Sequence, residues 1–371
     1  MTLSRMKSAC RVLVLSALAL GVPTAALAES SAVAVATPPA ALPARVPATA
    51  VAPEAAAPQS APASARSEQD LIVRGIYLQQ LTAQNPKRLK RLIEKSLKAG
   101  INTFVVDVWG KTPGYARAIQ TIQEAGIHYV PRVTMFPDGA RGGQHTDKAL
   151  LEHRWGLVDY AISLGAKDVQ LDYIRFSSQN ADSPENATKI LEVIRSFRER
   201  VEQKGARLQI DVFGEVAYGP STHIGQDMQR FAPALNAVCP MLYPSHFEPH
   251  EATAKDPYGT VHGALLALDR QIEQSPIPVY AYIEPFNYRH KMNDAERNVY
   301  FEAQIQAVLD SKAQGFYVWS AGNYYDIVFN VLNRRAAERE RALAPDKVMA
   351  SSAAPPTGAT PVSLAGSRRI D

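Results

Sequence analysis

Eight times between residues 70 and 340, a short run rich in Val, Ile, Leu and aromatic residues gives way to a longer stretch with helical spacing. Such alternation implies parallel strands joined by crossover helices. Eight units are enough to close a barrel, so the fold class expected is α/β, a single-domain (β/α)8 barrel. Strands are expected at 72–78, 103–108, 127–135, 168–176, 207–213, 237–243, 278–284 and 316–319. The first helix takes Asn85 as its cap, Pro86 in its first turn and Gly100 just past its end. Others are expected near 114–125, 147–164, 184–204, 224–235, 258–274, 294–313 and 324–341.

Strand parity places the chemistry. In DVQLDYIRF, residues 168–176, Val169, Leu171 and Tyr173 alternate with Gln170 and Asp172, a strand with one apolar and one polar face that ends in a carboxylate. Outward residues of a barrel strand meet helices, and an inward acid at the C-terminal end points into the mouth, where barrels do chemistry. Asp107 after Thr103 and Val105, Asp211 after Gln209, and Glu284 after Tyr280 and Tyr282 follow the same parity. Asp107, Asp172, Asp211 and Glu284 should therefore ring one cleft. Burying so many carboxylates is tolerable when some are paired and others keep a proton, the equipment of glycoside hydrolysis. Trp109, Tyr173, Tyr243, Tyr282, Phe286 and Trp319 stand at strand ends or just beyond, where their faces could stack on sugar rings, although Tyr173 has helix-facing parity. The longest loop-like stretch, 240–257, follows the sixth strand.

The ends of the chain differ in kind. Residues 1–28 set Arg5, Lys7 and Arg11 before the apolar run VLVLSALALGV and close on Ala26-Leu27-Ala28, the layout of a secretory signal. The Ala/Pro-rich segment 29–67 reads as a disordered linker and 344–371 as a disordered tail, leaving 68–343 for the barrel. An exported protein, periplasmic or secreted, is expected, with no membrane-spanning segment. Without the signal, 37 basic side chains face 36 acidic ones, and so even a balance argues against nucleic acid as a partner. Cys10 leaves with the signal and Cys239 has no partner, so no disulfide framework is expected.

Four motifs occur in order: QLDYIRF at 170–176, DVFG at 211–214, Ile224-Gly225-Gln226, and CPMLYPSHF at 239–247. Together they resemble the glycoside hydrolase-like family known as domain of unknown function 4015, over a span from about Arg74 to Tyr325. The resemblance implies a TIM barrel related to sugar-cleaving enzymes. It also implies roles for the matching positions Asp172, Tyr173, Arg175, Phe176, Asp211, Gly214, Gly225, Gln226, Tyr243, Ser245 and His246. This chain departs from the family where Ser177 replaces Pro, after Asp107, and at Glu284, near which Gln is usual.

Asp172, Asp211 and Glu284 are thus the catalytic candidates, with Glu215 an alternative second acid. Asp107, Arg175, Glu215, Gln226, Tyr243, His246 and Trp319 are candidates for substrate contact. Arg175 could instead neutralise Asp172, and His246 could orient Asp211. No cofactor is expected, and no metal: His246 and His250 are four apart, but Pro249 lies between them. An esterase is disfavoured because no Gly-x-Ser-x-Gly elbow is present. The function expected is hydrolysis of glycosidic bonds in an envelope or extracellular polysaccharide; a non-catalytic polysaccharide-binding barrel is the alternative.

Overall fold

Alternating side chains sort into two separate apolar clusters. Ile76, Phe104, Val106, Val169, Leu171, Ile210 and Phe316 pack outward with the helices. Val73, Tyr77, Val105, Val130, Cys239, Tyr282 and Tyr317 fill the inside. The computed structural model describes Ser67 and residues 70–343; the signal-like segment, the spacer up to residue 66 and the tail from 344 lie outside the described residues. Strands β1 (Val73–Leu78), β2 (Thr103–Asp107), β3 (His128–Thr134), β4 (Asp168–Asp172), β5 (Arg207–Phe213), β6 (Ala237–Met241), β7 (Tyr280–Ile283) and β8 (Gly315–Val318) pair in parallel in chain order, and β8 closes on β1. The result is a (β/α)8 barrel.

Helices α1 (Gln80–Ala83) and α2 (Pro86–Lys98) follow β1; α3 (Pro113–Glu124) follows β2, α4 (Lys148–Ser163) β3 and α5 (Glu185–Gln203) β4. Then come α6 (Met228–Phe231) after β5, α7 (His250–Lys255) and α8 (Pro257–Gln271) after β6, α9 (Asp294–Leu309) after β7 and α10 (Asp326–Leu343) after β8. Caps act as the sequence implies: the Asn85 side chain accepts from Arg88 N, and Gly205 takes φ 73 after α5. No helix of the described residues is long and apolar enough to cross a membrane.

Two expectations fail for local reasons. The fourth strand stops at Asp172, because Tyr173 turns to φ 54 and the chain leaves the sheet, so strand parity does not govern Tyr173 or Arg175. The helix expected over 224–235 is only α6 followed by a 3-10 turn at Ala232–Ala234, where Pro233 interrupts regular bonding. Pro240 likewise thins the β6–β7 seam to the pair Met241↔Tyr282 and the bridge Val238↔Val279.

The barrel interior is packed, and its packing positions the mouth. A Cβ on Gly75 would lie 2.5 Å from the Tyr317 ring, so only glycine admits that ring to the lumen. Above it runs a buried polar network. Gln170 donates to Gln209 Oε1 (3.2 Å) and Cys239 Sγ (3.3 Å), and Cys239 donates to Gln209 Oε1 (3.0 Å). Tyr282 donates to Gln170 Oε1 (2.8 Å) and Tyr317 to Gln209 Oε1 (3.1 Å). These bonds lock the side chains of Gln170, Gln209 and Cys239 together, and the next inward residues of β4 and β5 are Asp172 and Asp211.

Candidate active site

Register puts three acids around one cation. Asp107 on β2 is opposite Arg132 on β3, Thr134 is opposite Asp172 on β4, and Leu171 opposite Ile210 sets Asp172 beside Asp211 on β5. Arg132 shares the inward parity of Val130. Its guanidinium donates from Nη1 to Asp107 Oδ1 and from Nη2 to Asp172 Oδ2, and its Nε lies 3.5 Å from Asp211 Oδ2. Its Cζ also sits 5.3 Å from the Tyr77 ring centroid. All three acids are almost fully buried, at 2%, 3% and 1% exposure for Asp107, Asp172 and Asp211.

The three carboxyl groups are not equivalent. Both oxygens of Asp107 are engaged, since Tyr77 OH donates to Oδ2 at 2.5 Å. Both of Asp172 are engaged too, with Oδ1 accepting from Tyr173 N at 2.5 Å. Among the described residues Asp211 has only the long contact to Arg132, and its buried Oδ1 has no hydrogen-bond partner. One guanidinium cannot neutralise three carboxylates, so the cluster retains protons. Burial, then the charge of Asp172, pushes the Asp211 carboxyl well above the usual carboxylate range despite Arg132. Burial also raises Asp107, against the pull of Arg132 and Tyr77. On Arg132 burial acts to lower the pKa, but Asp172 and Asp107 outweigh it and raise it well above the ordinary arginine value. Chemically the arrangement offers a proton on Asp211 beside Asp172, whose oxygens are held by Arg132 and the Tyr173 N–H.

Several sequence candidates stand elsewhere. Glu284 is completely buried, but its oxygens accept from Ser245 N (2.9 Å), Ser245 Oγ (2.7 Å) and Tyr300 OH (2.5 Å), so it ties the loop after β6 to α9 instead of facing the Arg132 cluster. Burial, opposed by the Tyr300 and Ser245 hydrogen bonds, raises its pKa to about 7. Below the ordinary glutamate value of about 4.3 that burial is free of charge cost; the cost grows as pH rises through 7. Glu284→Gln can keep these hydrogen bonds, its amide donating to Ser245 Oγ. The variant is expected to remain active and to exceed the parent in stability by about 3 kcal/mol near pH 8, but not near pH 4, in denaturant titrations. Loss of activity in this folded variant would return Glu284 to the catalytic set.

Glu215 is exposed on a 3-10 turn, Gly214–Tyr218, and accepts from Ser221 Oγ at 3.0 Å; the turn ends strand parity, so Glu215 does not stand over Asp211. Gln226 is buried, and its Oε1 accepts from Phe213 N (3.0 Å), which fixes the end of β5. Gly225 allows this approach: at φ 67 a Cβ there would lie 2.8 Å from the Asn186 backbone.

The cation bonded to Asp172 is Arg132, while Arg175 feels the Asp172 charge without an ion-pair contact. Arg175 is buried with its Cζ 5.4 Å from the Tyr173 ring and 4.9 Å from the Phe213 ring, and Nη1 donates to Phe176 O (2.8 Å). Its Nε has no partner, and burial lowers its pKa. His246 stands at the rim with its ring 5.2 Å edge-on from Tyr243, so its neighbour is Tyr243 and not Asp211. The His250 ring nitrogens meet Phe247 O (2.8 Å) and Glu248 Oε1 (2.7 Å). Trp109 is half exposed beyond β2, Trp319 half-buried beyond β8, and Tyr243 buried between the acids and Trp319. Arg132 is the residue that sequence reasoning missed. Its signal was present: an arginine inside an apolar strand, two residues past Val130 on the inward parity.

Residues 152–325 match the family described as "Putative glycosyl hydrolase domain". The match begins within α4, later than the Arg74 expected, so Asp172, Asp211 and Glu284 lie inside it and Asp107 and Arg132 outside. Among solved structures, an endo-1,4-beta-mannanase from Rhizomucor miehei aligns at 12% identity over 73% of this chain and 95% of its own, with TM-score 0.54. The spore cortex-lytic enzyme SleL of Bacillus megaterium aligns at 11% identity over 71% of this chain and 74% of its own, with TM-score 0.50. At these identities the shared property is the barrel. No curated protein matches the chain. Residues 152–325 are thus similar to glycosyl hydrolase domains, and in this chain they form part of a (β/α)8 barrel.

Proposed function

We propose that this protein is an exported glycoside hydrolase that cleaves an envelope or extracellular polysaccharide, with Asp211 as general acid and Asp172 as nucleophile or general base. The observation that carries the reading is the unequal bonding of two neighbouring carboxyls. Both oxygens of Asp172 are engaged, by Arg132 and by the Tyr173 backbone N–H, while the Asp211 Oδ1 is buried and has no partner among the described residues. A carboxyl that keeps its proton beside a second carboxyl is what glycosidic cleavage requires. Asp107, bonded at both oxygens, holds Arg132 in place. The Ala26-Leu27-Ala28 ending of the apolar leader supports export.

The 1–3% exposure of the acids favours a second reading, a barrel that holds glycan without cutting it. Incubation with exported and cell-wall polysaccharides, with assay of new reducing ends, separates the two. We expect product from the parent chain and none from Asp172→Asn, which should still bind the polymer. Binding without product from the parent chain would establish the second reading instead.

A further inference from the structure

Four aromatic rings form a continuous series from the acids to the surface. Tyr243, just past β6, is buried, and its hydroxyl feels Asp211 and Asp172 after the larger effect of burial. Its ring centroid lies 5.5 Å from that of Trp319, past β8, at an interplanar angle of 31°. Trp319 lies 5.4 Å from Tyr288, and Tyr288 lies 4.9 Å from Phe286, both in the loop after β7. Exposure rises from 4% at Tyr243 through half-buried Trp319 to 39% at Tyr288, and Phe286 beside Tyr288 is half-buried.

The loop bearing the outer rings is held in place. Asn287 Oδ1 accepts from Arg289 N and His290 N, both at 2.8 Å, and its amide donates to Tyr300 OH at 3.1 Å. Arg289 Nε donates to Ser245 O at 3.1 Å, which ties this loop to the one after β6. An anchored loop that leaves aromatic faces toward water loses little entropy when a ligand covers them. Contiguous aromatic surface beside a cleft marks a binding site, and such faces suit the apolar C–H face of a sugar ring.

We propose that Tyr243, Trp319, Tyr288 and Phe286 form a track for the sugar units on one side of the bond that is cleaved, so that the substrate is a neutral polysaccharide several units long. This rests on the hydrolase reading for the position of the bond, but binding along the track is measurable without any cleavage. It also gives direction: the bound chain runs from the Asp211 side of the mouth over the ends of β6, β8 and β7.

Calorimetric titration with cello-, manno- and chito-oligosaccharides, from disaccharide to hexasaccharide, tests the track. In at least one series affinity is expected to rise with length. Tyr288→Ala should remove most of that rise, about tenfold at the hexasaccharide, and Tyr288→Phe, which keeps the ring, should restore it. Length-independent binding in all three series, or a full rise in folded Tyr288→Ala, would overturn the proposal. A length-dependent rise without any product would leave the track standing and sink the hydrolase reading.

Discussion

Replacing Arg132 by Met is expected to lower the melting temperature by roughly 10 °C at neutral pH and to abolish hydrolysis. The substitution fills much of the same space but removes the one cation that, among the described residues, is bonded to Asp107 and Asp172. Removing one partner of a buried ion pair typically costs about 3–5 kcal/mol, because a desolvated charge is left behind. For a domain of this size each kcal/mol moves the midpoint by about 2–4 °C. The sign with pH follows from linkage. Burial holds Asp107 and Asp211 above the unfolded carboxylate value of about 3.9, so without Arg132 their protonated burial costs little below that pH. Ionisation then becomes progressively costlier as pH rises. The variant should approach the parent in stability near pH 4 and fall furthest behind near pH 8. Equal melting temperatures at neutral pH would show that the guanidinium is not what makes three buried acids tolerable.

How far the sequence reveals this site depends on which forces act at each residue. Period-two alternation is enforced by the separation of lumen from helix layer, so Asp107, Asp172 and Asp211 were placed correctly by parity alone. Parity fails where the strand ends. Tyr173 at φ 54 and the 3-10 turn at Gly214–Tyr218 redirect Arg175 and Glu215, and neither change leaves a periodic trace. Glu284 lies one residue past β7, where its direction is set by hydrogen bonds to Ser245 and Tyr300, 39 and 16 residues away in sequence. Gln226 shows the same limit, since its buried bond to Phe213 N depends on the fold of the loop between them. Arg132 was legible in principle. An inward arginine is costly unless acids meet it, and strand parity sets Asp107, Asp172 and Asp211 on the same inward face.

The proton on Asp211 is the central claim, and leaving-group chemistry tests it most directly. A general acid contributes about 100- to 10,000-fold by protonating a poor leaving group, and contributes little when the leaving group departs unaided. Rates should be compared on the polysaccharide and on the dinitrophenyl glycoside of the same sugar. The account predicts that Asp211→Ala, and Asp211→Asn as a check on packing, lose at least about 100-fold on the polysaccharide and recover most of that on the activated glycoside. Asp172→Ala should be inactive on both. An Asp211 variant equally impaired on both substrates, or unimpaired on the polysaccharide, would contradict the assignment of Asp211 as the proton donor.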